Sequence, residues 1–191
     1  MRIRSKGGLV CQLKVSLRGA RPPIWRRFLL PADTNLHRLH DALQVVMGWS
    51  DQHMHQFEVG GVTYGTRAPE IGDHVVSEAK TTIAQVLRRP KDKLRYIYDF
   101  GDSWQHDVLL EKVLPPAEFQ SFFPIIVAGK GACPPEDVGG LGGYYQLLSV
   151  LSNPEHDEYS EMLEWAGGPI DPAQFDVRSL NQAIHGGWVL E

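Results

Sequence analysis

The chain has 191 residues, 42% hydrophobic and 22% charged, which is enough apolar material for a core and too much for a disordered chain. Its net charge of −4 hides an asymmetry: residues 1–98 carry 16 Lys/Arg against 8 Asp/Glu, and residues 99–191 carry 3 against 15. No run approaches the roughly 20 apolar residues of a membrane span, no apolar leader follows the first bases, and Cys11 and Cys133 form neither a C-x-x-C nor a disulfide scaffold, so no membrane partner is expected and the expected setting is a reducing cytoplasm.

Taken in order, "VCQLKVSL" (10–17) alternates, with Cys11, Leu13, Val15 and Leu17 on one side, and predicts a strand with a buried face. "RGARPP" is a turn and "IWRRFLL" (24–30) the returning strand of an antiparallel hairpin. The next segment offers Asp33 and Thr34 as N-caps, spaces Leu36, Leu39, Leu43, Val46 and Met47 helically, and stops at Gly48, predicting a helix over 35–47. A strand over 53–59 and a turn follow, then a short helix in "KTTIAQVLRRP" that stops before Pro90. Segments 94–99 and 104–113 predict a second hairpin.

After Pro115 the texture changes to proline- and glycine-rich loops through residue 143, and helices are predicted at 144–153, 155–167 and 177–186. Strands first and helices late argue an α+β fold: a mainly antiparallel sheet built from two hairpins with a packed helix, β-grasp-like at the N-terminus, with a helical C-terminal part. The expected organisation is one domain over 1–191, with the sheet-plus-helix core at 9–114, the loop region at 115–143 and the C-terminal helices at 144–186.

Three polar clusters stand out. In "YIYDFGDSWQHD" (96–107), a two-residue turn at Gly101–Asp102 would set Asp99 opposite Trp104 and put Asp99, Trp104, His106 and Arg95 on one face. Asp99 would then reach His106, the supporting half of many acid–base and metal sites, while Asp102 before Ser103 is good turn chemistry. In "DQHMHQF", His53 and His55 at i, i+2 would share one side of a strand, a spacing compatible with a metal, although two histidines do not complete a site. In "GACPPEDVGGLGGYY", two prolines stiffen the approach to Glu136 and Asp137, and the glycines match neither a dinucleotide nor a P-loop pattern. The carboxylates there suit a cation, an arginine or a helix N-terminus.

The stretches "PPIWRRFLLPADTNLHRLHDALQVVMGWSDQHMHQFEV", "YIYDFGDSWQHDVLLEK", "CPPEDVGGLGGYYQLLSVLSNPEHDEY" and "IDPAQFD" together resemble the plasmid pRiA4b Orf-three-like family, in the same order over about residues 10–186. The resemblance implies an α+β fold, a link to plasmids and transposons, and no established activity. The family's motifs fall on Trp25, Leu39, His40, Gly48, Trp49, His53, His55, Phe57, Tyr98, Asp99, Gly101, Asp102, Trp104, His106, Cys133, Pro134, Pro135, Glu136, Asp137, Gly139, Gly140 and Tyr144. Relatives carry further cysteines around "CPPED"; the matching places here are Ile126 and Val138, which argues against a cysteine-rich zinc site.

No nucleophile is paired with a base, so no catalytic residue is assigned and a non-enzymatic binding or accessory module is the first expectation. Its ligand-binding residues would be Asp99, Asp102, Trp104, His106, Glu136 and Asp137, with His53 and His55 as metal candidates. The cofactor is left unknown, and the partner is an unidentified protein or small ligand. A metal-assisted or acid–base hydrolase at Asp99 and His106 is the alternative, and weak nucleic-acid binding by the eight bases of the first 32 residues is a third.

Overall fold

The computed structural model describes residues 3–4, 8–66, 74–115 and 122–186. Its ten strands are β1 (Ile3–Arg4), β2 (Val10–Leu17), β3 (Trp25–Pro31), β4 (His55–Val59), β5 (Val62–Gly65), β6 (Val76–Ser77), β7 (Lys93–Tyr98), β8 (Trp104–Leu114), β9 (Phe122–Phe123) and β10 (Ile125–Lys130). Eight of them form one sheet in the order β10-β3-β2-β8-β7-β4-β5-β6, antiparallel except for β5–β6, and β1 pairs with β9 apart from it. The helices are α1 (Leu36–Met47), α2 (Ile83–Val86), α3 (Gly140–Leu151), α4 (Tyr159–Trp165) and α5 (Val177–Gly186). The fold is α+β with a mostly antiparallel sheet.

Alternation decides which face of the sheet is covered. Cys11, Leu13, Val15 and Leu17 of β2 are buried with Leu94, Tyr96 and Tyr98 of β7 and Trp104, His106, Val108 and Leu110 of β8. The core they form also takes in Leu36, Leu39, Leu43 and Val46, the apolar positions of α1. Gln12, Lys14 and Ser16, between the buried residues of β2, are only half-buried. On that side Glu111 accepts from Arg27 and Gln12, and Lys14 lies over the Trp25 ring.

Several expectations are corrected. Asn35, rather than Asp33 or Thr34, caps α1, accepting from the Arg38 N–H at 2.9 Å, while Gly48 ends it in the left-handed conformation. The second hairpin turns through five residues, with Tyr98 opposite Trp104 and Tyr96 opposite His106. That shifts the register by one, so Arg95 pairs with Asp107 on the face away from Trp104 and His106. The first histidine-containing strand starts at His55, leaving His53 in the loop before it. The region 115–143 is not loop throughout: β10 lies on the sheet edge beside β3, although residues 116–121 are outside the described ones. Asn181 of α5 closes part of that edge, donating to the Ile126 carbonyl and accepting from the Ile126 N–H, both at 2.9 Å. The helix expected at 144–153 begins at Gly140 and that at 155–167 is shorter, Tyr159–Trp165.

The glycines hide the start of α3 in the sequence, but packing requires them. A Cβ on Gly140 would sit 2.7 Å from the Asp102 carbonyl oxygen, and one on Gly143 would run into the Val138 carbonyl oxygen. Gly142, on the same helix, faces open space. Gly143→Ala is therefore expected to cost roughly 1–3 kcal/mol and lower the melting temperature. Gly142→Ala should be neutral or stabilising by up to about 1 kcal/mol. Chemical denaturation of the two variants checks the contrast, and equal effects would contradict it.

Candidate functional site

Past Gly48 the chain crosses the end of the sheet as residues 49–54, and almost every residue there is tied down. Trp49 is buried; its indole Nε1–H donates to the Pro134 carbonyl at 3.0 Å, and its ring stacks on Tyr98 and meets Trp104 and His106. Ser50 donates to Glu136 from both its N–H and its hydroxyl. The Gln52 N–H donates to the Tyr98 hydroxyl, and the Met54 carbonyl accepts from the Asp99 N–H at 2.9 Å. The segment thus joins the tip of the second hairpin to the "CPPED" loop.

The two acids of that loop differ. Glu136 accepts from Ser50 and, at 2.5 Å, from the Tyr98 hydroxyl. Burial works to raise its pKa, but the bonds from Ser50 and Tyr98 outweigh it and hold the carboxyl below its usual range. Asp137 sits in the left-handed region (φ 60°) with its carboxylate largely exposed, and its Oδ1 lies 3.0 Å from His53 Nε2. That approach is off the direction of a hydrogen bond, so Nε2 has no hydrogen-bond partner. On the other edge of the imidazole, Asp99 Oδ2 stands 3.8 Å from Nδ1.

Asp99 is also left-handed (φ 55°), and its Oδ1 accepts from the Gly101 N–H at 2.8 Å. The side-chain turn expected of Asp102 therefore belongs to Asp99, while Asp102 accepts from the Gly139 N–H at 3.1 Å and so ties the hairpin to the glycine loop. His53, Asp99 and Asp137 can each present one donor atom within 4.8 Å of the other two. Beside them a cleft of about 230 Å³ is lined by Asp137, Val138, Gly143, Leu147, Met162 and Trp165.

His53 and His55 do not share a site. His55 stacks face to face on His40, with ring centroids 3.4 Å apart and planes 5° from parallel, and bonds Glu78 at 2.8 Å. Glu78 is buried; burial alone would raise its pKa, yet bonds from His55, Thr66 and His37 bring it down to about 2. Gln44 donates to the Tyr96 hydroxyl, which meets His40 Nδ1 at 2.8 Å, and His40 Nε2 meets Asp51 at 2.8 Å. His40, Asp51 and His55 also bring donor atoms within 4.8 Å of one another. Ring-nitrogen lone pairs lie in the ring plane, however, and parallel stacked rings do not aim them at one ion. That cluster is a hydrogen-bonded network.

His106 is not held by Asp99. It is fully buried among Trp49, Tyr96 and Trp104, and neither ring nitrogen makes a well-formed hydrogen bond. Burial lowers its pKa to about 4, only partly offset by nearby backbone of Tyr96 and Trp104. Trp104 lies equally deep, under Trp49. Of the residues singled out from the sequence, Asp99, Glu136, Asp137 and His53 gather around segment 49–54, Asp102 anchors the glycine loop, and Trp104 and His106 underlie them in the core. The roles of Ser50, Asp51 and Glu78 carried no signal in the sequence; Trp49, Tyr98 and His40 appeared there only through the family resemblance.

The match to known proteins is consistent along the chain. Residues 9–179 match the family model described as "Plasmid pRiA4b ORF-3-like protein". The chain belongs to this family. It is 34% identical over 177 residues to the uncharacterised protein y4hQ of Sinorhizobium fredii (strain NBRC 101917 / NGR234), covering 92% of this chain and 90% of that protein. The crystal structure of the protein of unknown function MM3350 from Methanosarcina mazei Go1 is similar too, with 41% identity, a TM-score of 0.80, and coverage of 90% of this chain and 97% of that one. Both family relatives are thus described without a function.

The buried imidazole of His106 sets a pH dependence. Its pKa is depressed in the folded chain, so between about pH 6.5 and 4 the unfolded chain binds the extra proton and stability falls as pH falls. Below pH 4.5 the depressed Glu78 carboxyl adds a loss of the same sign, completed near pH 2. The His106 contribution is on the order of 3 kcal/mol over that window. His106→Phe, which removes two unpaired polar atoms, is expected to be no less stable at pH 7 and to flatten the melting-temperature profile between pH 6.5 and 4. An unchanged slope in differential scanning calorimetry would reject this account.

Proposed function

We propose that this protein is a ligand-binding accessory module whose recognition site is a divalent-cation centre formed by His53, Asp99 and Asp137. The carrying observation is the approach of three donor atoms, from three separate chain segments, to within 4.8 Å of one another. One imidazole nitrogen and two carboxylate oxygens suit manganese, iron(II) or zinc better than a thiolate-seeking ion. Three protein ligands leave coordination positions for a ligand, and the adjoining cleft of about 230 Å³ offers it apolar surface. The off-axis contact between His53 and Asp137 supports the same reading, because a cation satisfies that pair better than a bent hydrogen bond does. The β-grasp-like arrangement of hairpin, helix and strand serves as the scaffold, and the family's plasmid name supports a setting among mobile elements. Two free thiols suit a reducing cytoplasm, and no helix among the described residues is long and apolar enough to cross a membrane.

Binding is favoured over catalysis by the state of the neighbouring groups. A metal-assisted hydrolase needs a base that titrates near its working pH. Glu136 is held ionised by its donors, and His106 is sealed in the core. Nucleic-acid binding is weakened because three of the hairpin bases are engaged: Arg26 is buried, Arg27 pairs with Glu111, and Arg18 faces Asp107 at 3.9 Å. Duplex DNA should bind weakly in a mobility-shift titration and be released as salt rises toward physiological strength.

The test of the cation site is native mass spectrometry of chelator-treated protein dialysed in turn against manganese, zinc and magnesium. One ion of manganese or zinc per chain is expected. His53→Ala and Asp137→Asn should each weaken binding at least tenfold, whereas Asp102→Asn should leave it unchanged. Asp99→Asn should weaken it too while keeping the oxygen that accepts from Gly101. Absence of a stoichiometric ion, or wild-type binding by Asp137→Asn, would overturn the proposal.

A further inference from the structure

Arg26 is a buried cation without a carboxylate. It is 4% exposed, and its Nε and Nη1 donate to three backbone carbonyls: Val46 at 3.2 Å, Trp25 at 2.9 Å and Lys130 at 3.0 Å. Those bonds occupy three of the five guanidinium N–H donors and leave both on Nη2 without a protein acceptor among the described residues. No Asp or Glu among the described residues forms an ion pair with it. The partial negative charge of the last α1 carbonyls is its nearest compensation. The neighbouring Cys133 thiol does not help, because burial pushes it up to about 12 and keeps it neutral. Burial lowers the guanidinium pKa as well, but arginine stays protonated at any physiological pH.

This cation forms part of the wall of a cleft of about 460 Å³ between the end of α1 and α5. The other walls include Met47, Ala132, Phe175, Leu180 and Ala183, with the Phe175 ring 4.3 Å from the guanidinium carbon. Asp176 stands on the lining, but its carboxylate accepts from the Arg178 N–H and the Ser179 hydroxyl at the start of α5. The volume is that of a small-molecule site, and the combination of one buried positive fork with apolar walls defines a chemistry.

We infer that this cleft binds a small organic carboxylate with a compact apolar body, its carboxylate on Arg26 Nη2 and its body between Phe175, Leu180 and Ala183. A buried guanidinium met only by carbonyl dipoles and an aromatic ring, with no counter-ion, keeps part of its desolvation cost, and an incoming carboxylate offsets that cost while the apolar part is removed from water. The site is separate from the His53 centre and shares no residue with it.

The probe is benzoate, titrated calorimetrically and by saturation-transfer NMR in the presence of EDTA, so that the result is independent of any cation. Benzyl alcohol and inorganic phosphate serve as controls. Saturable binding of benzoate, at least tenfold tighter than either control, is expected. Arg26→Lys should weaken it at least tenfold. Because that variant can also disturb folding, Ala183→Trp provides a second arm: it fills the cleft from an exposed helix position and should abolish binding with its melting temperature unchanged. No saturable binding, equal affinity for benzyl alcohol or phosphate, or unchanged binding by Ala183→Trp would each overturn the assignment and leave Arg26 as a cap on α1.

Discussion

Trp49 joins three parts of the molecule that are far apart in the chain. Its ring lies against Tyr98, Trp104 and His106 on the covered face of the sheet, and its one polar atom donates to the carbonyl of Pro134. A buried indole N–H usually finds an acceptor; Trp49 finds one in the Pro134 carbonyl, whereas Nε1 of the neighbouring Trp104 has no hydrogen-bond partner. That bond ties the "CPPED" segment to the end of α1 and the tip of the second hairpin. Once it is there, Ser50 and Tyr98 meet Glu136, and Asp102 meets Gly139. The glycines at 140 and 143 follow from the same approach, since side chains there would collide with the hairpin and with the loop's own backbone.

What was legible in the sequence was whatever local periodicity encodes. The alternation of Cys11, Leu13, Val15 and Leu17 gave the buried face of β2, and the spacing of Leu36, Leu39 and Leu43 gave α1. The hairpin register was not legible, because the same stretch accommodates a two-residue turn at Gly101–Asp102 or a five-residue turn over 99–103. The difference lies in Asp99, which takes a left-handed conformation supported by its own bond to Gly101 and by the Met54 carbonyl, a partner 45 positions away. β10 was hidden for a similar reason: its apolar run follows a proline in a loop-like composition, and what makes it a strand is pairing with β3.

The same distinction governs the charges. Part of the asymmetry between the basic first half and the acidic second half is met inside the fold. Arg27 meets Glu111 across the sheet, and Arg26 turns into backbone carbonyls. A composition-level dipole is therefore partly a record of which strands pair. The charges that remain interesting are those whose nearest neighbours do not neutralise them.

By that criterion Glu136 and Asp137, adjacent in the chain, have opposite characters. Glu136 takes donors from two chain segments and has little capacity left for a ligand. Asp137, in a left-handed conformation, carries its carboxylate outward to the rim of a cleft, facing an imidazole it does not properly bond. A left-handed aspartate is tolerated at modest cost, and such strain persists only where the surroundings impose it. Here Glu136 is the imposing residue: by fixing the loop it determines where Asp137 projects. Of the two adjacent acids, Glu136 is held by donors from the protein and Asp137 keeps an exposed carboxylate, the combination that the proposed site uses, with one residue holding the backbone and the next open to a ligand.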